Sequence, residues 1–294
     1  NAQKRAIKAL KDHISRLYHF SLAEGDREEE GAVCGGNVQV ILDAASEKHS
    51  EAFALLEMDI ASRKSGILLT RIESTGRDNI SLSRSWIKED LDLSGTTAAG
   101  LDGLRNSIEK SYSRGTPYLF PVNNHERFFL EPVFPHPRLI IAGAGHIGRA
   151  VSHLGSLLDF EVTVIDDRPD LANPERLPDA DRIIVDDMTN ALRNIPKTTD
   201  TYIVIVTRGH RHDEAVLRQC IDSDAAYIGM IGSLNKIAHA GKTALKEGWA
   251  TKEQMDRIHA PIGLPIQSKT VEEIAVSIAA ELVLVRRKLI GGKK

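Results

Sequence analysis

The stretch RLIIAGAGHIGRA, residues 138–150, constrains the fold most strongly, because an apolar run passes directly into three closely spaced glycines. This order predicts a strand, a tight turn and a helix, with Gly143, Gly145 and Gly148 at GxGxxG spacing. In that context Gly143 permits the turn, Gly145 lets a phosphate approach the backbone, and Gly148 lets the helix pack on the strand. Because the N–H groups at a helix start attract anions, the loop predicts a nucleotide- or pyrophosphate-binding site. The alternative is that the glycines serve only to pack the helix on the sheet.

The chain after Pro137 alternates between strand-like and helix-like segments. Its strand-like runs are rich in Val and Ile and apolar at successive positions, which is typical of parallel strands covered on both faces. These runs are RLIIAG, EVTVIDD, DRIIVDD, TYIVIVTRG and AYIGMIG. We expect helices to begin at His146 and near Asp213, and Thr270 and Glu273 have capping-box spacing before a long final helix. The pattern predicts a doubly wound α/β domain with a parallel sheet.

The N-terminal part of the chain has a different pattern. Helical periodicity predicts helices over residues 6–18, 46–63 and 97–112. Five runs look like strands: NVQVIL, GILLTRIES, NISLSRSWI, PYLFPV and ERFFLEPV. Strands that follow one another without a helix between them, such as GILLTRIES and NISLSRSWI, pair antiparallel most easily. This is typical of a smaller α+β domain. The closely spaced prolines of EPVFPHPR indicate an extended linker, so we predict domains over residues 1–134 and 135–294.

The composition excludes several classes of protein. The 294 residues carry a formal net charge of -3, with Lys and Arg interspersed among Asp and Glu, so we expect no nucleic-acid or anionic-membrane partner. The longest apolar runs are shorter than the roughly 20 residues that span a bilayer, and no basic-then-apolar leader opens the chain. These features predict a cytoplasmic protein. The 2 cysteines do not suffice for a disulfide framework.

Polar residues follow two strands at the edge where open α/β sheets bind ligands. Asp166 ends the second strand, where a carboxylate accepts bonds from ribose hydroxyls. The run TRGHRHDE after the fourth strand brings His210, His212 and Asp213 to the same edge. The alternatives are that Asp213 caps a helix and that His212 is merely exposed. A zinc site from these three residues and Glu214 is less favoured, because ligands so close in sequence seldom form a tetrahedron.

Four further features of the sequence bear on the binding site or on the core. The run GMIGS, residues 229–233, repeats the order of strand end, glycine and helix cap, and predicts a second anion nest. The run HAPIGLPI, residues 259–266, is either a proline-stiffened connector or part of the binding cleft. Cys34, in CGGN, is either a small buried residue or an accessible thiolate, and thiolates bind soft metals and carry sulfur. Cys220 lies at helical spacing from apolar neighbours and is expected in the core.

Taken together, these segments resemble one family, the xanthine dehydrogenase accessory factors (XdhC/CoxI), which serve molybdenum hydroxylases. The resemblance covers nearly all of residues 130–288, in family order and spacing, and rests on LEPVFPHPRLIIAGAGHIGRA, FEVTVIDDRPDLANPERLPDAD, YIVIVTRGHRHDEAVLR, AAYIGMIGS, HAPIGLPI and TVEEIAVSIAAE. In the N-terminal domain it rests on GAVCGGNVQVIL, which is similar to the family's Cys-Gly-Gly segment. The chain departs from the family at Pro265, where an acidic residue is usual, and at Gln267 and Ser268.

This resemblance implies a Rossmann-like C-terminal domain and a non-catalytic accessory role. Such a protein binds molybdenum cofactor, as molybdopterin or its dinucleotide, supports its sulfuration, and delivers it to a xanthine dehydrogenase-type apoprotein, with a cysteine desulfurase as sulfur donor. Cys34 is then the expected contact for molybdenum or sulfur. The expected cofactor-binding residues are Gly143, Gly145, His146, Ile147, Gly148, Asp166, Arg208, Gly209, His210, Asp213, Gly232, Ser233, Cys34, Gly35 and Gly36.

Two other functions stay open on the residues alone. The glycine loop and Asp166 are also compatible with an NAD(P)-dependent oxidoreductase. A module that senses a nucleotide and signals through the N-terminal domain is the third hypothesis. The first helix and the apolar N-terminal strands suggest a homodimer.

Overall fold

The computed structural model describes residues 2–21, 37–76, 78–90, 101–232 and 234–291. The chain divides into two compact units, which we call the N-terminal unit (Asn1–Pro135 with Ile290–Lys294) and the C-terminal unit (His136–Leu289). Each unit has its own sheet and its own apolar core.

The N-terminal unit is an α+β domain, as predicted. In chain order the described elements are α1 (Ala2–Asp12), β1 (Arg16–Ser21), β2 (Asn37–Leu42), a short 3-10 helix (Ser46–His49), α2 (Ser50–Ala61), β3 (Gly66–Ser74), β4 (Ile80–Lys88), α3 (Leu101–Arg114), β5 (Tyr118–Pro121) and β6 (Glu126–Val133). Strands β4, β3, β6 and β5 form an antiparallel sheet in that order, and β1 pairs with β2. Ile67 and Leu69 of β3 pack against Leu104 and Ile108 of α3.

The predicted helix over residues 6–18 is wrong in its second half. The helix α1 ends before His13, which has a φ of 51°, and β1 follows. Leu17, which the helical periodicity over residues 6–18 places in the helix, lies instead in β1 and packs with Ile72 and Ile80. Pairing with β2 and burial of Leu17 therefore outweigh the local helical periodicity.

The C-terminal unit is a doubly wound α/β domain, as predicted. Its described elements are β7 (Arg138–Ala142), α4 (His146–Leu157), β8 (Glu161–Asp166), β9 (Arg182–Val185), α5 (Met188–Arg193), β10 (Thr201–Ile205), α6 (His210–Arg218), β11 (Tyr227–Met230), α7 (Leu234–Glu247), α8 (Lys252–Asp256) and α9 (Val271–Gly291). The parallel strands lie in the order β11, β10, β7, β8, β9. The chain runs outward from β7 to β9 and then returns to β10 on the other side of β7. The order thus reverses between β7 and β10, and this switch point is where such sheets bind ligands.

Alternate residues of the central strand face two apolar layers. Leu139 and Ile141 of β7 belong to the layer that contains α4 and α9, whereas Ile140 and Ala142 belong to the layer that contains α5, α6 and α7. Because both sheet faces are covered, the loops at the carboxyl edge are the part of the sheet left to meet a ligand.

The helix boundaries confirm two local predictions and correct one. The helix α4 begins at His146, as predicted. The capping box of α9 is formed, since Glu273 N–H donates to the Thr270 hydroxyl over 3.2 Å and the Glu273 carboxylate accepts from Thr270 N–H over 3.0 Å. The helix α6 begins at His210, earlier than Asp213, because Gly209 is its N-cap. In the described part of the chain, no helix has both the length and the apolar character needed to cross a bilayer.

Candidate functional site

The turn after β7 depends on Gly143. Its φ of +118° lies in a region that L side chains rarely adopt, and a Cβ there would lie 2.5 Å from the Val206 carbonyl oxygen. Its N–H donates to the Ile165 carbonyl at the end of β8 over 2.8 Å. The end of β8 and the first residue after β10 therefore both contact Gly143 closely.

Gly148 and Gly145 have opposite surroundings. A Cβ on Gly148 would lie 1.8 Å from the Gly143 carbonyl oxygen, so glycine is required for α4 to start this close to the turn. A Cβ on Gly145 would meet no heavy atom within 4 Å, and Gly145 is the N-cap of α4. This open side adjoins the first-turn N–H groups, where the helix dipole favours an anion.

The first turn of α4 carries two of the predicted contact residues. His146 is exposed to solvent. Ile147 packs against the core layer that contains Ala144 and Val151. In this arrangement Ile147 holds the helix on the sheet, and His146 is the accessible side chain of the two.

Asp166 is fully buried beneath the glycine loop. One carboxylate oxygen accepts the Ala144 N–H over 2.7 Å, and Arg168 donates Nε over 2.8 Å, Nη2 over 2.8 Å and its own N–H over 3.0 Å. Burial alone would raise the pKa of Asp166, but the Arg168 guanidinium and the two backbone N–H groups lower it to about 2. Asp166 therefore ties the glycine loop to Arg168. The predicted ribose contact would require Arg168 to move.

Asp213 shapes the loop after β10. Its buried carboxylate accepts the Thr207 N–H over 3.2 Å and the Thr207 hydroxyl over 2.6 Å. At Gly209, a Cβ would meet no heavy atom within 4 Å, so this loop also presents an open backbone face. His212 is exposed.

An ion pair joins the two loops that flank the glycine loop. Nη2 of Arg208, after β10, lies 2.9 Å from Oδ2 of Asp167, after β8. Nε of Arg168 lies 3.9 Å from the other carboxylate oxygen of Asp167. The central strand β7 lies between β10 and β8, so the Arg208–Asp167 pair crosses the carboxyl end of β7.

Some of the predicted site residues lie outside the part of the chain that the structure describes. Ser233, Cys34, Gly35 and Gly36 lie outside the described residues, as does the side chain of His210. Gly232 follows β11 at the carboxyl edge and is partly buried. Cys220 is buried in the core, as predicted, and burial raises the pKa of its thiol to about 12.

The described side chains contain no group of three His, Cys, Asp or Glu residues that could hold a metal ion. The zinc alternative for TRGHRHDE accordingly gains no support from His212, Asp213 and Glu214.

Glu281 of α9 anchors the HAPIGLPI segment. Its carboxylate oxygens lie 3.0 Å from Nδ1 of His259, 2.8 Å from the Gly263 N–H nitrogen and 2.5 Å from the Tyr227 hydroxyl. Burial opposes ionisation, but these three partners hold the pKa of Glu281 below its usual value. These contacts fix the segment to α9.

Sequence reasoning missed Asp167, Arg168 and Glu281. A signal for Glu281 was present, because a carboxylate inside the apolar run AVSIAAELVLV has to be paired when the helix is buried. Nothing in the run VIDDR indicated which of its two carboxylates would turn inward.

The XdhC Rossmann domain family matches residues 139–282, which include the glycine loop, β8, the loop after β10 and most of α9. The C-terminal unit belongs to this family. The resemblance to the xanthine dehydrogenase accessory factors is thus confirmed, and the loop described above is the glycine loop of an XdhC Rossmann domain.

Two relatives and one crystal structure are also similar to this chain. YqeB, described as an uncharacterized protein of Escherichia coli strain K12, is 31% identical over 157 residues, which is 53% of this chain and 28% of that protein. A Bacillus subtilis strain 168 protein, described as a probable subunit of xanthine dehydrogenase, is 24% identical over 286 residues, or 96% of this chain and 80% of that one. The crystal structure of a xanthine dehydrogenase from Bacillus halodurans shares the fold, with a TM-score of 0.72 and 24% identity over 100% of this chain and 80% of that chain.

Proposed function

We propose that this chain is an accessory protein that binds molybdenum cofactor and supports its sulfuration and its insertion into a xanthine dehydrogenase-type molybdenum hydroxylase. Membership of the XdhC Rossmann domain family and similarity to a protein named as a probable xanthine dehydrogenase subunit support an accessory role in the maturation of that enzyme. The partners are then the hydroxylase apoprotein and a sulfur-donating cysteine desulfurase.

The observation that carries the proposal is the open backbone of the XdhC glycine loop. Gly145 has free space on its Cβ side, lies at the N-terminus of α4, and stands at the switch point of the sheet. Molybdopterin carries a phosphate and its dinucleotide form a pyrophosphate, and either group suits this loop. The open face of Gly209, after β10, adjoins the same switch point.

The metal-bearing end of the cofactor needs a different contact. Since the described side chains contain no metal-binding cluster, the proposal assigns contact with molybdenum or its sulfur to Cys34, on the basis of the family resemblance. When bound, the cofactor supplies the redox chemistry that the hydroxylase uses. The residues of this chain hold its phosphate and orient it.

An NAD(P)-dependent oxidoreductase is the second candidate. The strand order β11, β10, β7, β8, β9 around the glycine loop favours it, because many dinucleotide-binding domains share this order. The burial of Asp166 under Arg168 weighs against it, since no carboxylate oxygen of Asp166 is exposed to a ribose.

Retention of the cofactor during purification tests the proposal. The protein is produced in cells that make molybdenum cofactor, and the bound pterin and molybdenum are measured per mole of protein. Gly145→Asp places a carboxylate where the phosphate would lie, so we expect it to lower retention by about tenfold, equivalent to about 1.4 kcal/mol. Gly76→Asp adds the same charge in the N-terminal unit, at a position where a Cβ has ordinary contacts, and should retain the cofactor.

Equal retention by wild type and Gly145→Asp would contradict the proposed function. A parallel titration with NAD(H) separates the second candidate. Micromolar binding accompanied by turnover of a carbonyl substrate would favour the oxidoreductase.

A further inference from the structure

The two adjacent carboxylates at the end of β8, Asp166 and Asp167, each pair with an arginine, but the two pairs differ in burial. Asp166 is fully buried and is held by Arg168 of its own loop. Asp167 has a side chain that is 35% exposed, and its partner Arg208, which is 45% exposed, comes from the loop after β10. Solvent, or a dissolved anion, can therefore reach both side chains of the second pair, whereas in the first pair Asp166 is buried and only Arg168, 31% exposed, is within reach.

The Arg208–Asp167 pair, which we call the strap, crosses the glycine loop. Two strand spacings, about 9–10 Å, separate β8 from β10, and β7 with its glycine loop lies between them. The backbone of Val206 and Thr207, just before Arg208, passes so close to Gly143 that a Cβ on Gly143 would clash with the Val206 carbonyl. The arginine side chain reaches over this turn to the far side.

We infer that Asp167 and a phosphate bound at the glycine loop compete for the Arg208 guanidinium, so that binding of the phosphate displaces Asp167. The guanidinium binds carboxylate and phosphate oxygens with the same geometry, so the two compete for one donor group. Asp167 is then a specificity-determining residue. It favours ligands whose phosphate charge outcompetes a carboxylate, and it disfavours ligands without one.

Two neighbours keep the exchange local. Arg168 stays on Asp166, whose burial makes that pair costly to open. Thr207 is fixed by Asp213, so the backbone before Arg208 stays in place while its side chain moves. The exchange therefore needs a rotation of one exposed side chain.

The inference rests on the proposed function, because both place a phosphate at the glycine loop. The chemistry recognised is a phosphate or pyrophosphate ester, which dinucleotides and phosphorylated pterins share. Inorganic pyrophosphate and ADP are suitable probes, and adenosine is the matching probe without phosphate.

The test is a double-mutant cycle with binding of each probe measured by calorimetry on the full chain. Asp167→Asn should raise the affinity for pyrophosphate and ADP by about two- to fivefold, the range expected for loss of an exposed ion pair. Arg208→Ala should lower that affinity, and Asp167→Asn should have no effect in the Arg208→Ala background. Asp170→Asn, which removes the same charge from the same loop outside the strap, should change the affinity by less than about twofold.

A lower or unchanged affinity in Asp167→Asn would overturn the inference, as would an equal gain in the Arg208→Ala background, which would show a general charge effect. Failure of wild type and Asp167→Asn to bind either phosphate probe would also overturn it, and so would an equal gain for adenosine. If the proposed function is wrong but the inference is right, the two experiments give different results. In that case purified protein lacks pterin while the cycle with ADP still shows the exchange.

Discussion

At the scale of single residues, Asp166 shows how one carboxylate acquires a role from its surroundings. The position at the end of β8 is where a dinucleotide-binding domain often places its ribose-binding acid. Here the same carboxylate accepts the Ala144 N–H and the Arg168 guanidinium and is shielded from solvent. Its effect on ligand binding is therefore exerted through the shape of the glycine loop.

Asp166→Asn should destabilise the C-terminal unit by about 3 kcal/mol at pH 7, because the buried side chain would place an amide NH2 group among N–H donors and Arg168 would lose its nearest carboxylate. The pKa of Asp166 is about 2 in the folded state and near 3.8 when exposed. A lowered folded-state pKa stabilises the protein above pH 4, and this contribution is lost as the pH falls from about 4 to about 2. Over that pH range wild type should therefore lose about 2 kcal/mol of its free energy of unfolding, a loss that Asp166→Asn should not show.

Urea unfolding at a series of pH values measures both effects, with Asp170→Asn as the control on the same loop. Equal pH dependence in wild type and Asp166→Asn would show that Asp166 does not stabilise the fold through its charge.

At the scale of elements, α9 holds the segment that precedes it. Glu281 accepts bonds from Tyr227 of β11 and from the segment at Gly263, and lies beside His259. In addition, the Ser277 hydroxyl donates to the Leu264 carbonyl over 2.6 Å. A connector without regular secondary structure is thus held to α9 by several side-chain hydrogen bonds.

Glu281→Gln keeps the shape of the side chain but replaces one acceptor oxygen with a donor nitrogen and removes the negative charge that the Tyr227 hydroxyl and the Gly263 N–H donate to. We expect a loss of about 1–3 kcal/mol in the free energy of unfolding. Glu272→Gln makes the same change at an exposed position of α9 and should cost less than about 0.5 kcal/mol. Chemical denaturation of the two variants measures the difference, and equal stabilities would show that the Glu281 contacts contribute nothing.

At the scale of the whole molecule, each unit contains the partners of its own strands. The five strands of the C-terminal sheet pair with one another, and the residues of both its core layers lie between Leu139 and Val285. This is the property expected of a domain that folds independently.

A fragment of residues 136–291 should therefore fold when produced alone. We expect helical and strand signals in far-UV circular dichroism and one cooperative thermal transition. A fragment without a cooperative transition would show that the C-terminal unit needs the N-terminal unit for stability.

Much of the C-terminal unit could be predicted from sequence because its signals are local. Apolar runs, the GxGxxG spacing and the Thr270 capping box each lie within a few residues of the chain, and each predicted the element that forms. The N-terminal unit was harder to predict, because Leu17 has a helical spacing in sequence and a strand partner in space.

The sequence by itself determined the fold class, the turn at Gly143 and the start of α4, since these depend on backbone freedom and short-range periodicity. Only the tertiary structure decided that Asp166 turns inward to Arg168 while Asp167 turns outward to Arg208. It also decided that Glu281 meets Tyr227. The physical reason is that the Asp167–Arg208 and Glu281–Tyr227 contacts join elements far apart in the chain, which the strand order of the sheet and the packing of α9 bring together. No local pattern records which of two adjacent carboxylates pairs with which arginine.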